Sequence, residues 1–168
     1  MSQSKKLLSG ETGLPCHYPI PKGSRVMFYI QRNGNSNTIV YELNLDQSGN
    51  LFESNPLKVY WKRYSEGGMV KKLNVIQEKL AFGYNSIKKR DGYFEFTLVA
   101  YPEKILFLRK TEKGYRVFTH INKMWANLDH IYVFAEGLGV FPKVKFAEMY
   151  GSELKYSLPV YEKINFNL

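Results

Sequence analysis

The chain has 168 residues, 44% of them hydrophobic, which is enough to bury a core and argues against wholesale disorder. It carries 24 Lys and Arg against 15 Asp and Glu, giving this basic protein a formal net charge of +9. The single cysteine, Cys16, excludes an intramolecular disulfide. The 13 Tyr and 11 Phe residues favour β-structure.

The sequence predicts an irregular N-terminal arm over residues 1–22 and a single β domain over residues 23–168. Prolines at 15, 19 and 21 interrupt regular hydrogen bonding in the arm. The first residues contain no apolar signal segment, and no run approaches the roughly 20 apolar residues of a transmembrane helix. We therefore expect a soluble chain with no membrane span, cytoplasmic as given or exported if a leader was removed.

The first strands are predicted by alternation of apolar residues with period two. Arg25–Asn33 and Thr38–Asp46 flank the Asn- and Gly-rich segment 33–37, which is a hairpin signal. A third strand is expected over Leu57–Tyr64, where Gly67-Gly68 ends it. These segments predict an antiparallel arrangement.

One segment changes the period from two to that of a helix. Met69, Leu73, Ile76 and Leu80 recur at helical spacing, and Gly83 stands where a C-terminal cap glycine belongs. The pattern predicts one short amphipathic helix near 70–82 with its apolar stripe packed on a sheet.

Further strands follow at short intervals, and Pro159 with the final residues is expected to form a short edge or tail. About nine short strands joined by hairpins predict an all-β, mainly antiparallel fold, either a lipocalin-like barrel or a β-sandwich. The predicted strands are Tyr84–Lys89, Tyr93–Tyr101, Ile105–Lys110, Tyr115–Ile121, His130–Glu136 and Lys143–Tyr150.

The sequence carries no recognisable catalytic signature. It lacks the nucleophile elbow, the phosphate-binding loop and the dinucleotide fingerprint. Asp129 precedes His130, but neighbouring strand residues point to opposite faces, so we do not expect them to pair. The histidines, at 17, 120 and 130, lack metal-ligand spacing. We predict no catalytic residue, no metal site and no cofactor.

Three apolar tracks share an unusual feature, since the next residue on each face is an arginine. The tracks are Val26, Phe28 and Ile30 leading to Arg32, then Leu57, Val59 and Trp61 leading to Arg63, then Ile105 and Phe107 leading to Arg109. Each arginine would continue a line of core side chains. It either marks the point where its strand leaves the core, with its charge in water, or holds an anion inside.

The leading functional hypothesis is non-enzymatic binding of a small amphipathic or anionic ligand in an aromatic-lined interior. An apolar body would sit among the rings and an acidic head on the guanidinium groups. The predicted ligand-binding residues are Arg32, Arg63, Arg109, Tyr41, Trp61, Phe28 and Phe107.

Two other functional classes stay open. An enzyme without a recognisable motif would use Glu, Tyr or Arg in a cleft, with Glu42, Glu95, Glu136 and Glu148 as the candidate carboxylates. A protein-interaction domain would act through a strand edge or the hairpin tip at 33–37, for example as a homodimer. Nucleic acid is disfavoured as a partner because basic residues are spread over nearly every segment rather than gathered on one surface.

Five blocks of the sequence carry a family resemblance. They are Phe28–Asn33, Thr38–Asn44, Val59–Tyr64, Leu73–Gly83 and Phe141–Glu148. Together they resemble an uncharacterised bacterial family, domain of unknown function 4833, over roughly residues 18–152. The resemblance implies no known activity and therefore assigns no catalytic residue.

Overall fold

The computed structural model describes residues 18–137 and 142–166 and is built almost entirely of β-strands. One short helix, α1, spans Val75–Gln77 and continues as a π-helical turn over Glu78–Phe82, while a 3-10 turn, Tyr64–Glu66, follows the third strand. The strands are β1 Val26–Arg32, β2 Asn35–Leu43, β3 Leu57–Arg63, β4 Met69–Lys72, β5 Tyr84–Arg90, β6 Tyr93–Leu98, β7 Tyr101–Thr111, β8 Gly114–Ile121, β9 Met124–Glu136, β10 Lys143–Glu153 and β11 Pro159–Asn165.

These strands form one sheet in the order β4-β3-β2-β1-β9-β8-β7-β6-β5, with β10 and β11 added beside β9. Every pairing is antiparallel except that of β1 with β9, which is parallel. The sheet curls into a half-barrel. The prediction of an all-β, mainly antiparallel, barrel-like fold with one short helix is confirmed.

The long strand β9 joins two arms of the sheet. Its residues 126–136 pair with β10 along one edge. On the opposite edge, residues 124–127 pair with β8 and residues 130–133 pair with β1. The two arms, β1–β4 and β5–β8, are therefore hydrogen-bonded to the same edge of β9 at different positions along its length. They face each other across the core.

The core lies between these two arms. Phe28 of β1 stacks on Tyr41 of β2 with ring centroids 4.2 Å apart and lies 6.2 Å from the ring of Phe96 on β6. Tyr84 of β5 reaches across to β3, where its hydroxyl accepts from the backbone N of Leu57 at 2.8 Å. The interior between the arms is thus filled by side chains.

The predicted helix was too long at its N-terminal end. Met69–Lys72 forms β4, antiparallel to β3, because Gly67 and Gly68 have φ of 70° and 81° and reverse the chain directly after β3. The predicted apolar stripe is also wrong, since Ile76 and Leu80 are exposed. Leu73 and Phe82 are the members of the segment that pack on the core.

Gly83 was predicted to be a left-handed C-terminal cap of the helix, but the structure requires glycine here for a steric reason. Its φ of −67° and ψ of 173° are extended rather than left-handed. A Cβ at this position would lie 2.0 Å from the carbonyl oxygen of Glu78, so only glycine fits against the π-helical turn.

Candidate functional site

An open cleft of about 680 Å³ lies at one end of the half-barrel. It lies between the β2–β3 loop, the β5–β6 turn and the adjoining ends of β7 and β8. The residues lining this end cleft are Gly49, Asn50, Leu51, Glu53, Arg90, Asp91, Gly92, Tyr93, Arg109, Lys110 and Tyr115.

Local sequence chemistry shapes both walls. In the β2–β3 loop, the Asp46 carboxylate accepts from the backbone N of Ser48 at 2.8 Å and of Asn50 at 2.9 Å, an Asx-type turn. On the opposite wall, Gly92 turns the β5–β6 hairpin with φ of 70°, and its carbonyl accepts from Lys110 N at 2.8 Å. Backbone hydrogen bonds therefore hold the walls in place.

Two arginines meet at one aromatic ring in the cleft. The guanidinium carbon of Arg90 lies 5.2 Å from the ring centroid of Tyr93, and that of Arg109 lies 5.3 Å from the same centroid. Arg109 reaches this ring because Tyr93 is its direct partner across β6 and β7. Arg90 on β5 is the partner of Tyr93 on the other side of β6, so the two cations flank Tyr93 and both are within cation–π range of its ring.

The carboxylates of the cleft are already paired with another cation. Lys88 Nζ lies 2.8 Å from both carboxylate oxygens of Glu53 and 3.0 Å from Asp91 Oδ1. These hydrogen bonds raise the pKa of Lys88. Neither carboxylate forms an ion pair with Arg90 or Arg109 within the ranges 18–137 and 142–166. The two arginines therefore leave positive charge in excess in the cleft.

Three of the predicted ligand-binding residues are packed inside the core. Phe28 and Tyr41 are fully buried against each other, and the Tyr41 hydroxyl donates to Phe82 O at 2.7 Å. Trp61 contacts Phe82 edge-on at 5.6 Å, and its Nε1 donates to Gln77 Oε1 at 3.3 Å. Their partners are other side chains of the protein.

Arg32 and Arg63 share the end of the half-barrel opposite the cleft. This follows because β1 and β3 are both antiparallel to β2 and so finish at the same end. Arg63 lies 5.5 Å over the ring of Trp61, and its Nε is 3.6 Å from Glu66 Oε2. Arg32 makes no ion pair or ring contact with any residue that the structure describes.

The apolar residues leading to Arg109, Ile105 and Phe107, were predicted to face the core but lie on the opposite face of β7. Ile105 is 46% exposed, whereas Leu106 and Leu108 are buried in the core. Phe107 therefore lies on the outer face, where its ring contacts Trp125 at 4.9 Å. Both faces of this strand carry apolar residues, so alternation alone could not decide which one is buried. The seven predicted residues are thus divided among the core, the outer face and two opposite ends.

A second polar cluster lies on the outer face of β9, β10 and β11. Glu148 is fully buried there, and its Oε2 accepts from the hydroxyls of Tyr161 and Tyr150, the latter at 3.3 Å. Its Oε1 has no hydrogen-bond partner among the described residues. Burial raises the pKa of Glu148, although the two hydroxyls, Lys163 and His130 oppose the shift.

The histidine in this cluster corrects another prediction. His130 Nδ1 lies 2.6 Å from Asp129 Oδ2, so the neighbouring side chains do interact despite their places on opposite faces. The Asp129 side chain is exposed, and its carboxylate reaches the ring of the next residue. His130 itself is stacked between Tyr29 at 5.0 Å and Tyr150 at 4.4 Å.

Solvent access distinguishes the two sites. The end cleft is open, whereas Glu148 is closed off from water. The chain before β1 also crosses this outer face, since Gln31 Nε2 donates to Pro19 O at 2.9 Å. The end cleft is therefore the better candidate for binding.

No group of three His, Cys, Asp or Glu within residues 18–137 and 142–166 is placed to hold a metal ion, and Cys16 and His17 lie outside those residues.

Sequence reasoning missed Arg90 and Tyr93 as site residues. The signal was available in the turn Arg90-Asp91-Gly92-Tyr93, which places a cation and a ring at the two ends of one Asp-Gly hairpin. What was missing was the pairing of Tyr93 with Arg109, which depends on the register of β6 and β7.

Comparison with known proteins places the chain in a family. No curated protein and no solved structure matches it significantly. The family model described as Domain of unknown function (DUF4833) matches residues 28–163, which includes every strand from β2 to β10. The family resemblance of the sequence blocks is thus confirmed, and the chain belongs to the DUF4833 family of domains of unknown function.

Proposed function

We propose that this protein binds a small anionic ligand in the end cleft, with Arg90 and Arg109 as the anion-binding residues. The observation that carries the proposal is the contact of both guanidinium groups with Tyr93, while the carboxylates of Glu53 and Asp91 pair with Lys88 instead of with these arginines. Guanidinium groups recognise carboxylate and phosphate through paired N–H donors.

The size and lining of the cleft refine the ligand. A volume of about 680 Å³ is within the range of small-molecule sites and far larger than a lone inorganic anion needs. The rings of Tyr93 and Tyr115 and the side chain of Leu51 offer apolar surface beside the arginines. An amphipathic anion fits this combination, with its acidic group on the arginines and its apolar body against these side chains.

The test is calorimetric titration of the protein with phenyl phosphate, inorganic phosphate and benzyl alcohol. We expect phenyl phosphate to bind more tightly than either of the others, because it alone uses the arginines and the apolar surface together. Arg109→Gln should weaken phenyl phosphate binding about tenfold, the cost of losing one charge-assisted hydrogen bond.

Arg116→Gln is the matched control. Arg116 is the direct partner of Arg109 across β7 and β8 but does not line the cleft, and its Nη1 donates to Tyr115 O at 2.8 Å. The control removes the same charge from the same region but no residue of the cleft lining, so it should weaken binding clearly less than Arg109→Gln does. Equal losses in both variants, or benzyl alcohol binding as tightly as phenyl phosphate, would refute the proposal.

A further inference from the structure

The segment from β4 through α1 exposes an unusual amount of apolar side chain. Met69, Val70, Val75, Ile76 and Leu80 are each at least half exposed, and all five lie within twelve consecutive residues. Scattered exposed apolar residues are ordinary, but five large ones in one short segment are a concentration typical of an interaction surface, and Met69 and Val70, as neighbours on β4, contribute from the two faces of this edge strand. We refer to these five residues, with Lys71, Lys72 and Lys79 between them, as the 69–80 surface.

This surface is held in a defined position on the fold. Gln77 closes a capping box with Asn74, and the same Gln77 side chain accepts from Trp61 Nε1 at 3.3 Å. At the end of the π-helical turn, Phe82 packs on Trp61 and its carbonyl accepts from the Tyr41 hydroxyl. These contacts use the inner side of the segment, which leaves Ile76 and Leu80 directed away from the core.

The charges among these apolar side chains are mainly positive. Lys71 and Lys72 directly follow Met69 and Val70, and Lys79 directly precedes Leu80, with Glu78 as the single acid of the 69–80 segment. All three lysines are exposed. Lys62 is the β3 partner of Val70 and adds another cation beside the edge strand.

We infer that the 69–80 surface docks on an anionic membrane surface. Apolar side chains interleaved with lysines are the chemistry that recognises such an interface, because the aliphatic groups enter the headgroup boundary while the ammonium groups remain beside lipid phosphates and carboxylates. A second copy of the chain is the poorer occupant, since the same lysines would then approach each other. Among the described residues, no helix is long and apolar enough to cross a bilayer.

The test is co-sedimentation of the full chain with vesicles of phosphatidylcholine, prepared with and without phosphatidylserine. We expect binding that requires phosphatidylserine and weakens with salt. The double variant Lys71→Gln/Lys72→Gln should lose affinity about 30-fold, the combined effect of two juxtamembrane cations. Ile76→Ser/Leu80→Ser should lose about tenfold or more through the apolar contribution.

Matched controls lie elsewhere on the surface. Lys113→Gln/Lys123→Gln removes the same charge from exposed turns, and Ile87→Ser removes an apolar side chain that is 62% exposed on β5. Both controls should bind vesicles within about threefold of the original protein. Circular dichroism of each variant establishes that the fold is intact.

Three outcomes would overturn the inference. They are absence of binding to phosphatidylserine vesicles, equal losses in the lysine variant and its control, and a dimer in sedimentation velocity that Ile76→Ser/Leu80→Ser abolishes. The last would assign the surface to a second copy of the chain.

Discussion

At the scale of single residues, Glu148 is the group whose environment departs most from that of an ordinary carboxyl. It is fully buried on the outer face of the sheet, with one oxygen bonded to two tyrosine hydroxyls and the other without a partner among the described residues. Burial raises its pKa in the folded protein, so between the ordinary carboxyl pKa and the raised one the folded state holds a proton that the unfolded state has released. The ionised carboxylate is thus a cost to the fold.

This gives a pH-dependent prediction for Glu148→Gln. In the original protein, Glu148 makes the free energy of unfolding fall as pH rises from the ordinary carboxyl pKa of 4.5 to the raised value in the folded state. The glutamine variant cannot ionise, so its stability relative to the original protein should increase across that window and then level off. Urea unfolding at a series of pH values measures this difference, and Glu112→Gln in an exposed turn should show no such rise. A constant difference at all pH values would contradict the prediction.

At the scale of elements, the end cleft depends on contacts between a loop and a hairpin far apart in sequence. Lys88 at the end of β5 connects them, because it binds Glu53 of the β2–β3 loop and Asp91 of the β5–β6 turn. The loop and hairpin were predictable from their turn residues, but this contact was not, since local sequence carries no information about which turns meet.

Lys88→Gln should therefore weaken phenyl phosphate binding about fivefold, because two unpaired carboxylates would then repel the ligand. Adding Glu53→Gln and Asp91→Asn to this variant removes the repulsion and should restore affinity. Calorimetric titration at low salt is the appropriate measurement, since screening diminishes the effect at high salt. Failure of the triple variant to recover would show that Lys88 acts through the position of the loop rather than through charge.

The segment after β3 illustrates why a helical period misled the prediction. Met69 lies at helical spacing from Leu73, but two left-handed glycines return the chain along β3 before any helix begins. The backbone of Met69–Lys72 then gains ladder hydrogen bonds at the open edge of the sheet. A tertiary pairing thus overrides a weak local preference.

At the scale of the whole molecule, the half-barrel depends on contacts that join its two arms. Tyr84 on β5 accepts from the backbone N of Leu57 on β3, and its hydroxyl hydrogen is shared between Leu57 O at 2.8 Å and Asn55 Oδ1 at 2.7 Å. Burial raises the pKa of Tyr84 to about 12, so the hydroxyl is a neutral donor at every ordinary pH. This one side chain satisfies backbone groups at the start of β3.

Tyr84→Phe should lower the free energy of unfolding by about 1–3 kcal/mol, because it leaves the buried N–H of Leu57 without an acceptor. Urea denaturation measures the change. The comparison variant is Tyr60→Phe, which removes a hydroxyl bond to Glu42 between two strands of the same arm at a partly exposed position. Tyr60→Phe should lower the free energy of unfolding by less than Tyr84→Phe does. Equal losses of unfolding free energy in the two variants would mean that the contact between the arms stabilises the fold no more than a contact within one arm.

The sequence by itself determined the local features of this protein. Alternation located most strands, and Asn-Gly and Asp-Gly pairs located two hairpins. The antiparallel pairing of these hairpins follows from their short turns. On β1 and β2 the predicted inward residues, Phe28 and Tyr41, are indeed in the core. Each of these features depends on residues close together in the chain, where turn chemistry and side-chain period act directly.

Only the tertiary structure decided which distant elements meet. β1 pairs with β9 across a sequence separation of about one hundred residues, and no local pattern encodes that parallel contact. The same holds for β7, where Leu106 and Leu108 rather than Ile105 and Phe107 are buried because the opposing arm covers that face. Arg109 consequently lies with Arg90 at Tyr93, away from Arg32 and Arg63. The physical reason is that burial and charge proximity depend on contacts between segments, whereas periodicity describes one segment alone.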